Sequence, residues 1–239
     1  MKDLSTVSPA QEKYGRKLTV PDNHVEMELH NKLPEKELMR MCQLIETTLP
    51  DSPRAVVQFT SAYGGEGARR IAFETAIFAA LSLRKRVLYI DTKKGREGLT
   101  SKLASAVQKP LTIALTSAES LQESLVQINH SSMYYSTLFS TEVETLTSSH
   151  LKGLNILFEE LRKVFDLIIL GTEAVFNNEV ATALARFSDG NILVVEAERT
   201  RHPVVQQVKD LLEANGGMVI GAVLNKQRLY IPKFIYRAL

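Results

Sequence analysis

Ala55-Val56-Val57-Gln58-Phe59-Thr60-Ser61-Ala62-Tyr63-Gly64-Gly65-Glu66-Gly67-Ala68-Arg69-Arg70 is the stretch whose reading decides the fold. Its first six residues form an apolar run that predicts a buried strand, and the pattern from Arg70 to Leu83 predicts a helix. Between them stand Gly64, Gly65 and Gly67. Glycines at such a junction let the backbone turn tightly and aim its N–H groups at the start of a helix, where unpaired amides attract anions. Strand, glycine-rich turn and helix in that order make the setting of a phosphate-binding loop.

On either side of this loop, strands and helices alternate. Arg86-Val87-Leu88-Tyr89-Ile90-Asp91 reads as a second strand that ends on an acid. Short segments at 100–107 and 120–128 follow, then a helix over 149–164 and the strand Asp166-Leu167-Ile168-Ile169-Leu170. A helix near 179–187, a strand over 191–196, a helix over 204–214 and a strand over 219–225 complete the series. Upstream, Leu38, Met41, Cys42, Ile45 and Leu49 recur at helical spacing between Pro34 and Pro50, which predicts an amphipathic helix over 35–49. Strands apolar on both faces, separated by helices, imply an α/β, doubly wound, mostly parallel sheet flanked by helices. Residues 1–34, polar and broken by Pro9, Pro21 and Pro34, read as a flexible N-terminal arm ahead of a folded domain over 35–239. The Ser/Thr-rich stretch Ser131–Ser149 reads as a solvated connection.

Composition bounds the function. The 239 residues carry 29 Lys+Arg against 27 Asp+Glu, a net of +2, which supplies no basic field for nucleic acid and no acidic tail. A single cysteine, Cys42, excludes a disulfide framework and a cysteine-built zinc site, and suits a reducing cytoplasm. His24, His30, His130, His150 and His202 share no metal-ligand spacing, so no metal site is expected of them. Cys42 falls on the apolar stripe of its helix and reads as a packed thiol. No segment has the apolar length of a membrane span, and the N-terminus lacks the apolar core of an export signal.

The loop, the strand ending at Asp91, the strand before Gly171-Thr172-Glu173 and the ending Ile220-Gly221-Ala222-Val223-Leu224-Asn225 together resemble the bacterial tyrosine kinases of capsule and exopolysaccharide synthesis. These kinases are part of the deviant-Walker group of P-loop NTPases that includes ParA and MinD. The resemblance runs from about Glu35 to the C-terminus. It implies a nucleotide-binding fold and an ATP site built from Gly64, Gly65, Gly67, Ala68, Arg69, Arg70 and Asp91. Set against the family pattern, the chemistry is missing. The family loop ends Gly-Lys-[Ser/Thr], its lysine neutralising phosphate and its hydroxyl holding Mg²⁺, whereas this chain has Ala68 and Arg69 there. A second lysine of the ParA and MinD relatives is replaced by Tyr63. The family's Asp-x-Asp keeps Asp91 but has Lys93 in the second place, followed by Lys94. The Asp-[Thr/Ser]-Pro-Pro strand end has become Gly171-Thr172-Glu173-Ala174, and Glu173, two residues on, is poorly placed to substitute. Phosphoryl transfer rests on positioning and charge neutralisation, and losing one such group commonly costs about 10²- to 10³-fold. The expectation is therefore a pseudoenzyme with no catalytic residues and no well-bound cofactor. The opposing expectation is that Arg69 and Arg70 hold ATP or ADP weakly, without ordered Mg²⁺, Asp91 being the residual acid.

The resemblance also implies surfaces. The family packs subunits through a helix with Glu-x-x-Arg-x-x-Arg, of which Glu37 and Arg40 remain while Gln43 replaces the last member. Homo-oligomers, or hetero-oligomers with an active relative, are expected there. The tail 226–239 holds two tyrosines, Tyr230 and Tyr236, in place of the family's phosphorylated cluster, and its interleaved Ile, Phe and Arg residues read as a docking segment. Arg199-Thr200-Arg201-His202-Pro203 resembles a family turn retained as scaffold. The implied partner is an inner-membrane polysaccharide co-polymerase or chain-length regulator, which would keep the protein cytoplasmic and peripheral to that membrane. An active autokinase or ATPase is the alternative function, and a MinD-like positioning factor is disfavoured because it too needs the lost lysines.

Overall fold

The computed structural model describes residues 23–29, 32–52, 54–93, 100–116, 121–139 and 146–227. Its strands are β1 (His24–Val25), β2 (Ala55–Ser61), β3 (Val87–Asp91), β4 (Val126–Ile128), β5 (Met133–Thr137), β6 (Leu167–Gly171), β7 (Gly190–Glu196) and β8 (Val219–Asn225). Its α-helices are α1 (Glu35–Thr48), α2 (Ala68–Leu81), α3 (Ser101–Ala106), α4 (Leu111–Thr116), α5 (Ser148–Arg162), α6 (Val180–Ala185) and α7 (His202–Ala214), with a 3-10 turn at Leu121–Ser124. The strands form one sheet in the order β1-β4-β5-β3-β6-β2-β7-β8. Every pairing is parallel except β4 with β5. The expected α/β, mostly parallel sheet flanked by helices is therefore the architecture observed.

The period-2 alternation of a strand explains the two layers. Val57, Phe59, Val87, Tyr89, Leu167, Ile169, Ile192 and Val194 face one side and pack under α1 and α2. Val56, Leu88, Ile90, Ile168 and Leu170 face the other, under α4, α5 and α6. Asp91 and Gly171, two residues beyond Tyr89 and Ile169, consequently emerge on the α2 side at the carboxyl ends of adjacent strands, in register with each other. Such strand ends are where an open α/β sheet places its ligands.

Two expectations change. The stretch 131–149 is not simply a solvated connection, because β5 lies within it, buried along its whole length between β3 and β4. Aromatic packing explains this: Tyr135 stacks on Tyr89 at 5.9 Å, and Tyr134 meets Phe165 edge-on at 5.2 Å. The buried Ser136 hydroxyl is satisfied by donating to the Ser124 carbonyl at 2.6 Å. Part of the stretch expected as an arm over 1–34 is instead built into the fold. Residues 1–22, 30 and 31 lie outside the described residues, but β1 joins β4 in parallel, and Val25, Met27, Leu29 and Leu33 pack on the core. Asn129 fastens this segment by accepting from the Met27 N–H and donating to the Met27 carbonyl. The alternation Val25, Met27, Leu29 was the signal for it.

Candidate functional site

The glycine loop leaves β2 and enters α2 through two residues with positive φ, Gly65 at 85° and Gly67 at 98°. Side chains rarely tolerate that region, and a Cβ on Gly67 would lie 2.5 Å from the Asn225 amide. The loop is braced from within. Fully buried Glu66 accepts the Tyr63 N–H at 3.1 Å and the Thr200 hydroxyl, while Asn225 donates to the Glu66 carbonyl at 2.7 Å. Thr200 and Asn225 thus act as supports of the loop.

Arg69 extends from the first turn of α2 to the end of β3. Its Nε donates to Asp91 Oδ1 at 2.9 Å and its Nη2 to Asp91 Oδ2, the planar fork that suits a carboxylate. Asp91 also accepts from the Thr100 hydroxyl at 2.7 Å, the Lys93 N–H at 3.0 Å and the Tyr135 hydroxyl at 3.4 Å. Five donors converge on a group with about four lone-pair sites. Burial alone would lower the Arg69 pKa, but hydrogen bonding to Asp91 and its charge outweigh burial and hold the guanidinium above its ordinary value. Burial first and the Asp91 charge second push the Tyr89 and Tyr135 phenols well above the usual range, so both remain donors.

Tyr89 is a residue that sequence reading missed. Its fully buried ring is held edge-on to Phe73 at 5.1 Å, and its hydroxyl donates to the Arg69 carbonyl at 3.2 Å. A Cβ built on Gly171 would lie 2.1 Å from the Tyr89 hydroxyl oxygen and 2.7 Å from Cζ. Tyr89 therefore fills the space that a side chain at 171 would need. The tyrosine in Tyr89-Ile90-Asp91 and the glycine at 171 are complementary, but only the register of β3 with β6 makes that visible.

Beside these groups opens a cleft of about 330 Å³, bordered by Gly64, Gly65, Gly67, Ala68, Arg69 and Arg70 of the loop and by Lys93, Thr172 and Glu173. The structure thus brings together the six loop residues expected to build the ATP site, with Asp91 behind Arg69. Arg70 is engaged by Glu74 at 2.9 Å, and Glu173 by the Asn178 amide at 3.0 Å. Glu37 and Arg40 lie apart on the exposed face of α1, paired with each other at 2.9 Å. Arg199 pairs with Glu196 at 2.9 Å. Burial pushes the Cys42 thiol up to about 11. Among the described residues no three His, Cys, Asp or Glu side chains converge as a metal site, and no helix is long and apolar enough to cross a membrane. Lys94, Tyr230, Tyr236 and all of the tail beyond Gln227 lie outside the described residues.

No protein-family model matches the chain. Over 188 residues, however, it is 26% identical to the tyrosine-protein kinase CpsD of Streptococcus pneumoniae serotype 4, spanning 75% of this chain and 79% of that protein. The chain is similar to bacterial tyrosine-protein kinases over most of its length. A CpsD of Streptococcus agalactiae serotype III is 33% identical over 72 residues, 30% of this chain and 31% of that one. In fold, the kinase domain of the Escherichia coli tyrosine kinase ETK superposes with a TM-score of 0.69 at 17% identity, covering 94% of this chain and 96% of that domain. MinD of Aquifex aeolicus superposes at 0.59 with 19% identity, over 77% and 72% of the two chains.

A magnesium-bound nucleotide does not fit the residues present at this site. Asp91 has no free lone pair for a cation while Arg69 holds it, and Arg69 itself offers no hydroxyl to a metal. At position 171 the space for a second carboxylate is occupied by Tyr89. What the arrangement does chemically is neutralise Asp91 from inside the protein.

Proposed function

We propose that this protein is a non-catalytic regulator or scaffold of bacterial capsule or exopolysaccharide assembly, working through contact with the cytoplasmic part of an inner-membrane polysaccharide co-polymerase or chain-length regulator. One observation carries the loss of catalysis: the Arg69–Asp91 pair, in which the acid retained from the kinase pattern is saturated by the chain's own guanidinium. Similarity to CpsD supports the pathway. On this reading the protein uses no cofactor, sits in the cytoplasm at the membrane through its partner, and presents Glu37 and Arg40 to a second copy or to an active relative. Tail tyrosines Tyr230 and Tyr236 are available to such a relative as acceptors.

A second reading, a weak ATP-binding autokinase or ATPase of the same pathway, draws on the glycine loop and on Arg70 and Lys93 at the cleft. A phosphotyrosine blot of the purified chain incubated with Mg-ATP separates the two. The scaffold reading expects a blank lane, together with capture of a co-polymerase from host membranes at the same yield with and without ATP. Labelling of the chain by itself, or capture that requires ATP, would overturn it.

A further inference from the structure

Arg69 and Arg70 stand side by side at the start of α2 and are tied in different directions. Arg70 meets Glu74, whose second oxygen accepts the backbone N–H groups of Lys32 and Leu33 at 2.9 and 2.6 Å, fastening the segment ahead of α1 to α2. Arg69 reaches Asp91 at the end of β3, and the same carboxylate gathers Thr100, immediately before α3, and Tyr135 of β5. Tyr89 of β3 closes the circuit onto the Arg69 carbonyl. Elements α2, β3, β5 and the start of α3 therefore meet at a single ion pair whose acid is almost wholly buried. Charge supplied by a dissociable ligand at such a junction would leave these elements unpaired whenever it departed; a guanidinium built into α2 stays.

Resting on the reading of this site as closed to magnesium nucleotide, we propose that Arg69 is a tethered counter-ion. It holds the cleft region in one arrangement without any ligand from solution, so that partner recognition is constitutive and not gated by nucleotide. The Arg69 guanidinium is bound by the Asp91 carboxylate, which the hydroxyls of Thr100 and Tyr135 hold in place by donating to it. Truncating Arg69 leaves a pocket whose chemistry selects a free alkylguanidinium.

Chemical rescue of the full chain tests this. For R69A the melting temperature falls by roughly 6–20 °C, the shift for unpairing a largely buried carboxylate in a chain of this size. Ethylguanidinium at low millimolar concentration recovers at least about a third of that loss, whereas ethylammonium and urea do not, because neither matches the charged planar fork. The double variant R69A/D91N, which lacks the acid, does not respond to ethylguanidinium. An unchanged melting temperature for R69A, or equal ethylguanidinium responses in R69A and R69A/D91N, overturns the proposal. Should R69A not fold, R69K takes its place: amide exchange over 100–106 is faster than in the wild type if the fork is what ties Thr100, and equal exchange overturns the proposal. Stabilisation of the wild type by Mg-ATP is a separate arm, which defeats the non-catalytic reading of the site whatever the rescue result.

Discussion

Placing an acid at position 171 is expected to break the protein. In Gly171→Asp the new Cβ meets Tyr89 Oη at 2.1 Å, Cζ at 2.7 Å and Cε2 at 2.9 Å, where ordinary contact begins at 3.4 Å. The ring would have to retreat by more than an ångström, yet it is fully buried, wedged between Phe73 and Tyr135 and hydrogen-bonded to Arg69. Overpacking of this kind costs about 1–3 kcal/mol, so Gly171→Ala alone falls near the upper end of that range. The aspartate adds a buried charge in register with Asp91, which brings the total to about 4–5 kcal/mol and the drop in melting temperature to roughly 8–20 °C. Urea and thermal unfolding of G171A, G171D, Y89F and Y89F/G171A measure it. Y89F removes the nearest atom but leaves Cζ, so it relieves only part of the G171A cost. A G171D protein within about 0.5 kcal/mol of the wild type, or G171A and Y89F costs that simply add, would refute the claim that Tyr89 occupies the missing carboxylate's space.

Cys42 gives a pH signature. Its thiol is raised from 9.0 to about 11 by burial, so the native state favours the protonated form: stability is full below pH 9 and is lost as pH rises toward 11, by about 2–3 kcal/mol. C42A loses the part of the alkaline slope that begins near pH 9 in parallel urea titrations, while the buried phenols of Tyr89 and Tyr135 keep a slope above about pH 10. Glu74→Gln weakens the charged clamp on Lys32 and Leu33, and hydrogen exchange at those two amides rises by about tenfold or more while the core of β2 is unaffected. E37A/R40A removes an exposed i,i+3 pair and changes unfolding free energy by less than about 0.5 kcal/mol. Any larger consequence of that pair belongs to self-association, read by sedimentation.

The central strands were legible because Val56, Leu88, Ile168 and their neighbours are apolar on both faces and helices separate the runs, which together point to a covered parallel sheet. Legibility failed where side-chain chemistry misled. The hydroxyls of Ser136 and Thr137 made β5 look solvated, although Tyr134 and Tyr135 supply its burial. β1 was hidden because two residues of pairing are too few to outweigh a proline-rich context. At the site, the substitutions at 68, 69, 93 and 171 could be seen one by one, but their consequences could not. Whether Arg69 points to solvent, to a phosphate or to Asp91 depends on the distance between α2 and the end of β3, and Tyr89 gains its meaning only from the β3–β6 register.

Calorimetric titration of the purified wild-type chain with Mg-ATP addresses the central claim most directly, because Arg69 and the cation it displaces cannot both hold Asp91. The expected result is no heat above dilution at concentrations up to about 1 mM, corresponding to a binding free energy weaker than about −4 kcal/mol. Saturable, magnesium-dependent binding at micromolar concentration, abolished by D91N, would contradict it.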